Sequence, residues 1–208
     1  MTTATTAPDV IRTRAGHIAY LAYSAGAVGL GVLCLIAGDL AYVFQPVPRW
    51  MPWHPALAYL CGAALVAGGG ALLARRAMRL AALVLAIEFA VWLLLCNLPA
   101  ALSKPTVVGY WEGCGLNMTV IAGGWILVAL SSAPAGRAAG LPGARGVTLA
   151  RRVFAAGIPL IGLAHFVNAH EATAYVPSWF PLPIGWVYLT GAAHVAAGLA
   201  LLFGVVPR

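Results

Sequence analysis

Six long apolar stretches dominate the sequence and leave few folds open to it. They cover residues 18–44, 55–74, 80–98, 116–132, 153–169 and 184–206, and Pro, Gly, Arg and Trp punctuate the segments between them. About 20 mostly apolar residues are enough for an α-helix to cross the hydrocarbon core of a bilayer. We therefore predict an all-α integral membrane protein, a polytopic bundle of six transmembrane helices.

The composition excludes several classes of protein. Hydrophobic residues make up 62% of the 208 positions and charged residues only 8%, whereas a soluble domain carries about 25% charged residues. A cytosolic enzyme, a secreted disulfide scaffold and a disordered chain are excluded on this ground. The first apolar stretch is longer than the core of a secretory signal peptide, so we expect it to remain as the first span.

The basic residues predict the orientation. With the N-terminus inside, ten arginines fall on the cytoplasmic side, and only Arg49 and Lys104 fall outside. The ten are Arg12, Arg14, Arg75, Arg76, Arg79, Arg137, Arg145, Arg151, Arg152 and Arg208. Because cytoplasmic loops retain Lys and Arg, we predict a multi-pass protein of the cell membrane with both termini cytoplasmic. Topology and contacts with anionic lipid explain the net charge of +7, so we expect no nucleic-acid partner.

The chain contains an internal repeat at an offset of 129 residues. Residues 47–73 and 176–202 are identical at 15 of 27 aligned positions. The shared positions include Pro48, Trp50 and Pro52 in the first copy and Pro177, Trp179 and Pro181 in the second. Proline stiffens a helix exit and Trp favours the headgroup level, so each copy is expected to form an outer interfacial motif. The alternative is a role in gating a substrate.

Several segments resemble the DoxX-like integral membrane proteins. They are YLCGAALVAGGGALL followed by ARR, RLAALVLAIEFAVWLLL, WEGCGLNMTVIAGGWILVAL and, later, GLAHFVNAHEATAYVPSWFPLPIGWVYLTGAAHVAAGLALL. The resemblance implies a four-helix module (18–132) and a second copy of the module's first two helices (153–208). Before the module we predict a cytoplasmic N-terminal tail (1–17), and between the module and the second copy a basic cytoplasmic loop (133–152). Family members often carry an acidic residue where this chain has Leu65 and His194, so no role is transferred to that carboxylate.

The same resemblance implies a function. It points to a membrane subunit or accessory of a redox system, such as quinone-linked sulfur or thiol oxidation or an oxidative-stress complex. A quinone cofactor and an outer-face or membrane oxidoreductase partner follow from the resemblance in the same way. A small-solute permease and a non-catalytic membrane scaffold remain as alternatives.

Polar side chains concentrate in the outer halves of the predicted spans. Helical spacing places Glu88, Trp92 and Cys96 on one face, Trp186, Thr190 and His194 on a second, and His165 and Asn168 on a third. If these faces point inward, they line one polar pocket that is open to the outside. Its predicted members are Asp39, Glu88, Trp92, His165, Asn168, Trp186, Thr190 and His194. In this hypothesis a histidine donates to a quinone oxygen and Glu88 assists proton movement.

Each of these residues also has a simpler interpretation. Glu88 is then protonated or paired with a backbone or Trp donor, and Asp39 reaches water or pairs with Arg49. His165 and His194 form hydrogen bonds between helices, while His170 and Glu171 form a solvated helix end. Two histidines at similar depth would suit haem, but no C-x-x-C-H or His-rich tract supports it. We therefore expect neither haem nor a metal site.

The sequence permits two interpretations of the four cysteines and two of the glycines. An oxidising outer side permits a disulfide between Cys96 and Cys114, or between Cys61 and Cys96, but Cys is also a good small buried residue. The glycines at 62 and 68–70 favour close helix packing, with a homo-oligomer interface as the alternative. No Walker loop, G-x-S-x-G or H-E-x-x-H motif is present, so catalytic activity stays undecided.

Overall fold

The computed structural model describes residues 13–131 and 143–205. Six of its helices are long and apolar enough to cross a membrane, which confirms the prediction of a polytopic helix bundle. The helices are α1 (Arg14–Ala37), α2 (His54–Leu73), α3 (Met78–Ser103), α4 (Val108–Ser131), α5 (Ala144–Val167), the short α6 (Ala169–Ala172) and α7 (Pro183–Leu202). A π-helical turn, Leu93–Asn97, lies inside α3, and a 3-10 turn, Thr173–Tyr175, follows α6.

Several helix boundaries differ from the predicted ones, and three of the differences bear on the site. Helix α1 ends at Ala37 rather than at residue 44, because Gly38 adopts a left-handed conformation with φ 60° and stops the helix. Helices α4 and α5 begin at Val108 and Ala144, several residues before the apolar stretches. Backbone hydrogen bonding continues into the polar turns, whereas hydropathy detects only the apolar part of a helix.

The helices pack in chain order. Helices α1 to α4 form a first unit, in which α2 contacts α1 and α3, and α4 contacts α3. The Tyr20 hydroxyl of α1 donates to the Leu72 carbonyl of α2, and the Tyr23 hydroxyl donates to the Val120 carbonyl of α4. Helices α5, α6 and α7 form a second unit, which joins the first through contact between α5 and α4.

Glycines set the closest helix crossings in both units. A Cβ on Gly31 of α1 would lie 2.6 Å from the Gly62 carbonyl oxygen of α2, and one on Gly162 of α5 would lie 2.7 Å from the Gly191 carbonyl oxygen of α7. Gly62 and Gly191 are equivalent positions of the repeat. The two helix pairs therefore cross backbone to backbone at the same place.

The loops before α2 and α7 also share backbone geometry. The Met51 amide donates to the Pro48 carbonyl at 3.0 Å, and the equivalent Phe180 amide donates to the Pro177 carbonyl at 2.9 Å. The residue before each helix is left-handed, with φ 69° at Trp53 and 53° at Leu182. The same proline-containing turn is therefore present in both copies of the repeat.

The bundle has two chemically different ends. Seven described arginines lie at the end where α1, α3 and α5 begin and α2 ends, here called the basic end: Arg14, Arg75, Arg76, Arg79, Arg145, Arg151 and Arg152. The opposite end, where α2, α4 and α7 begin, is called the polar end. Residues 1–12, 132–142 and 206–208 lie outside the described residues, and with them Arg12, Arg137, Arg208, both termini and the first half of the predicted loop 133–152.

Candidate functional site

A cavity of about 590 Å³ opens at the polar end of the second unit. Residues from α4, α5, the α6 segment and α7 line it. The polar and aromatic lining residues are Glu112, His165, Asn168, Glu171, Tyr175, Trp186 and Thr190, and the apolar ones are Ala164, Ala172, Val176 and Val187. We call this cavity the second-unit pocket.

Four of the residues predicted for a polar pocket do line this one. They are His165, Asn168, Trp186 and Thr190. The Gly162–Gly191 crossing brings α5 and α7 together directly beside Thr190 and one turn from His165, which explains why the two helices share a lining. The Trp186 indole donates to the Pro181 carbonyl at 2.9 Å, so its ring is fixed and its N–H group is occupied.

The two predicted histidines stack on each other instead of bonding across the helices. The ring centroids of His165 and His194 lie 5.4 Å apart with an interplanar angle of 29°. Nδ1 of His165 lies 2.9 Å from the Ile161 carbonyl oxygen, and Nδ1 of His194 lies 2.7 Å from the Thr190 carbonyl oxygen. A carbonyl only accepts, so each Nδ1 carries the proton and each neutral ring keeps Nε2 as an acceptor. The predicted donation from a histidine to a quinone oxygen therefore does not apply to the neutral rings.

Two carboxylates complete the pocket. Glu112 is half-buried in the second turn of α4, and Glu171 is exposed on α6. Sequence analysis missed Glu112 because the fourth span was predicted to begin at residue 116. Extending that helix by two turns into its polar flank would have revealed Glu112. Glu171 was expected at a solvated helix end, and it is exposed at the margin of this cavity.

Asp39 lies in the first unit, outside the second-unit pocket. Its Oδ2 is 2.5 Å from Nη2 of Arg49 and its Oδ1 is 3.5 Å from Nε2 of His54, which confirms the predicted pair with Arg49. Partial desolvation opposes ionisation of the Asp39 carboxyl. The Leu40 amide, which donates to it at 2.8 Å, and the Arg49 guanidinium outweigh that effect, so the pKa of Asp39 lies below its ordinary value.

Glu88 and Trp92 also belong to the first unit. The Gln45 side-chain amide donates to Oε1 of Glu88 at 3.4 Å, while Trp92 is 9% exposed in a core cluster with Cys61 and Leu40. The prediction of one common pocket is therefore wrong. Helices α4 and α5 lie between α3 and α7, so the polar faces of α3 and α7 do not meet.

The repeat explains why the space equivalent to the pocket is filled in the first unit. The face of α2 that carries Ala58, Cys61 and Leu65 is buried against α3, where Trp92 joins the core cluster. The equivalent positions of α7 are Val187, Thr190 and His194. No described helix takes the place of α3 beside them, and Thr190 is exposed.

All four cysteines are free thiols, so the disulfide considered between Cys96 and Cys114 is not formed. Cys34, Cys61 and Cys114 are buried and Cys96 is half-buried, as expected for small residues in helix packing. At the polar end, Trp50 and Trp179 are 80% and 78% exposed. Their exposure suits the predicted interfacial motif with Pro48, Pro52, Pro177 and Pro181.

Within residues 13–131 and 143–205, no group of three or more His, Cys, Asp or Glu side chains could hold a metal ion. No protein-family model, no curated protein and no solved structure matches the chain. The resemblance to DoxX-like proteins therefore stays a prediction.

Proposed function

We propose that the protein is a membrane subunit of a redox system and that the second-unit pocket holds a quinone headgroup. The observation that carries the proposal is the presence of His165, Asn168 and Thr190 in one cavity of about 590 Å³. A ligand site of this kind needs an apolar slot with a few convergent polar groups. The alanines and valines of the lining supply the slot.

The pocket offers hydrogen-bonding partners to both redox forms of such a ligand. The Asn168 amide and the Thr190 hydroxyl can donate to a quinone carbonyl. Nε2 of a neutral His165 can accept from a hydroquinone hydroxyl. The fixed ring of Trp186 presents an aromatic surface for stacking.

The proposal also assigns the side of the membrane on which the pocket opens and the protein that docks there. The arginines of the basic end favour a cytoplasmic location for that end, so the pocket would open on the opposite side of the cell membrane. An oxidoreductase docked at the polar end would exchange electrons with the bound quinone. The DoxX-like resemblance supports this role.

Direct binding tests the proposal. The purified protein in lipid nanodiscs is titrated with a short-chain ubiquinone and, under anaerobic conditions, with its hydroquinone. His165→Ala and Asn168→Leu each remove one hydrogen-bonding group worth about 1.4 kcal/mol, which corresponds to about tenfold in affinity. His170→Ala is the matched control, because His170 is exposed and outside the pocket lining.

The outcome separates the proposal from its alternatives. Binding that weakens about tenfold in the two pocket variants and is unchanged in the control supports it. No binding of either form, or equal binding by all variants, rejects it.

One observation favours a permease for cationic solutes as a second candidate. Glu112 and Glu171 both line the pocket, and none of the described Lys and Arg residues does. An organic cation such as tetramethylammonium would be attracted by the two carboxylates and the ring of Trp186. Tighter binding of this probe than of the quinone, lost in Glu112→Gln, would favour the permease.

A further inference from the structure

Glu88 is a carboxyl group inside the first unit that has no ion pair within residues 13–131 and 143–205. It lies in the membrane-spanning helix α3. Its Oε2 atom is buried and has no hydrogen-bonding partner among the described residues. Its Oε1 receives a long hydrogen bond of 3.4 Å from the Gln45 side-chain amide. A charge left uncompensated in this environment is costly, and protonation removes it.

The groups around Glu88 are neutral donors and thiols. Helix α1 contributes Cys34 and helix α2 contributes Cys61, and both thiols lie close enough to the Glu88 carboxyl to interact with it electrostatically. Helix α4 packs against α3, and its one carboxyl, Glu112, lines the second-unit pocket instead.

A line of residues connects this region with the polar end. His54, Ala58 and Cys61 are buried on one face of α2. His54 lies two turns from Cys61, a rise of about 10 Å. His54 contacts Asp39, whose side chain is 28% exposed. The Cys34 thiol is close enough to Asp39 and Glu88 to interact electrostatically with both.

We propose that Glu88 is a reversible proton-binding site of the first unit, protonated at neutral pH and in exchange with water through the Asp39–His54 pair. The step is simple: the carboxylate takes one proton from water to become a carboxyl, and returns it without transfer of electrons. An imidazole beside a surface carboxylate is well suited to relay that proton. The site lies in the other unit from the second-unit pocket, so the inference does not rest on quinone binding.

An apolar carbodiimide tests the protonation directly. Dicyclohexylcarbodiimide enters the bilayer and adds to a protonated carboxyl to give a stable N-acylurea, which peptide mass spectrometry locates. We expect the adduct at Glu88 of the full chain in vesicles at pH 7, at least tenfold above that at Asp39 or Glu171, and falling as the pH rises. Glu88→Gln should lose this adduct alone, and Glu88→Asp should retain it.

Two results overturn the proton site. One is the absence of an adduct at Glu88 of the wild-type chain between pH 5.5 and 9, a measurement that needs no variant to fold. The other is protection by millimolar NaCl but not by choline chloride, which would identify a metal-cation site at Oε2 of Glu88.

The route has its own test. After a jump from pH 9 to pH 7, labelling of Glu88 should recover at least fivefold more slowly in His54→Leu than in wild type. His170→Leu is the control, because His170 is exposed in the second unit. Equal recovery in all three proteins rejects the route through His54.

Discussion

His165 on α5 and His194 on α7 stack with their ring centroids 5.4 Å apart. The stack lies beside the Gly162–Gly191 crossing, and the Cβ atoms of both histidines are among the nearest neighbours of those glycines. In the first unit the position equivalent to His194 is Leu65, which is fully buried. The polar pair is thus a property of the second unit.

The hydrogen bonds of this pair predict its tautomer. Because Nδ1 of each ring donates to a backbone carbonyl, neutral His165 and His194 should both carry the proton on Nδ1. Nitrogen-15 spectra of histidine-labelled protein at pH 8.5 should show a protonated Nδ1 and an unprotonated Nε2 at both sites. A protonated Nε2 at His165 would contradict the prediction and would remove the proposed acceptor from the pocket.

The α1–α2 crossing predicts opposite effects of two neighbouring glycine substitutions. Gly31→Ala places a Cβ within 2.6–2.8 Å of α2, including its backbone, whereas Gly29→Ala meets nothing within 4 Å. Overpacking should cost about 1–3 kcal/mol in the first case. The second should be neutral or slightly stabilising, since Ala favours helix over Gly. Unfolding by SDS in mixed micelles measures both, and equal losses would argue against the crossing.

Two buried amides share one acceptor, which predicts a coupled loss of stability. The side chains of Asn97 and Asn117 donate to the Phe44 carbonyl at 2.9 and 3.0 Å. Either single Ala substitution leaves the Phe44 carbonyl with one donor. The double substitution leaves it with none, and the unsatisfied buried carbonyl lowers the free energy of unfolding by about 1–3 kcal/mol more. The double loss should therefore exceed the sum of the single losses in a double-mutant cycle. Strict additivity would mean that the two amides act independently.

The lowered pKa of Asp39 predicts a defined pH dependence. A carboxyl whose pKa is depressed in the folded state adds stability above its unfolded pKa of about 3.9, and that stability is lost as the pH falls through the folded value. Asp39→Asn should lower Tm slightly at pH 7, with the two melting curves converging below pH about 3. Glu171→Gln is the control, because that exposed carboxyl has no ion pair among the described residues. A Tm difference that persists in acid would assign the loss to something other than this charge.

Particular residues show where sequence analysis succeeded. The pair of Asp39 with Arg49 was predictable because only nine residues separate them at the outer end of the first predicted span. His165, Asn168, Trp186 and Thr190 were predictable as pocket residues because each lies on a polar face near a helix end. Glu112 was not predictable as a pocket residue, because it lies in the part of helix α4 that precedes the apolar stretch.

The lipid surroundings of the chain, its six spans and its repeat can all be predicted from the amino-acid sequence. They follow from local properties: apolar runs of bilayer length, few charges, and prolines and glycines at matched positions. Which polar faces meet depends on how the helices pack. Helices α4 and α5 separate Glu88 from His194. In the first unit, α3 occupies the space next to α2, whereas the equivalent space next to α7 stays open. Which helices pack against each other depends on close approach at particular glycines. Helical periodicity predicts which residues share a face of a helix, but it does not predict which other helix that face contacts.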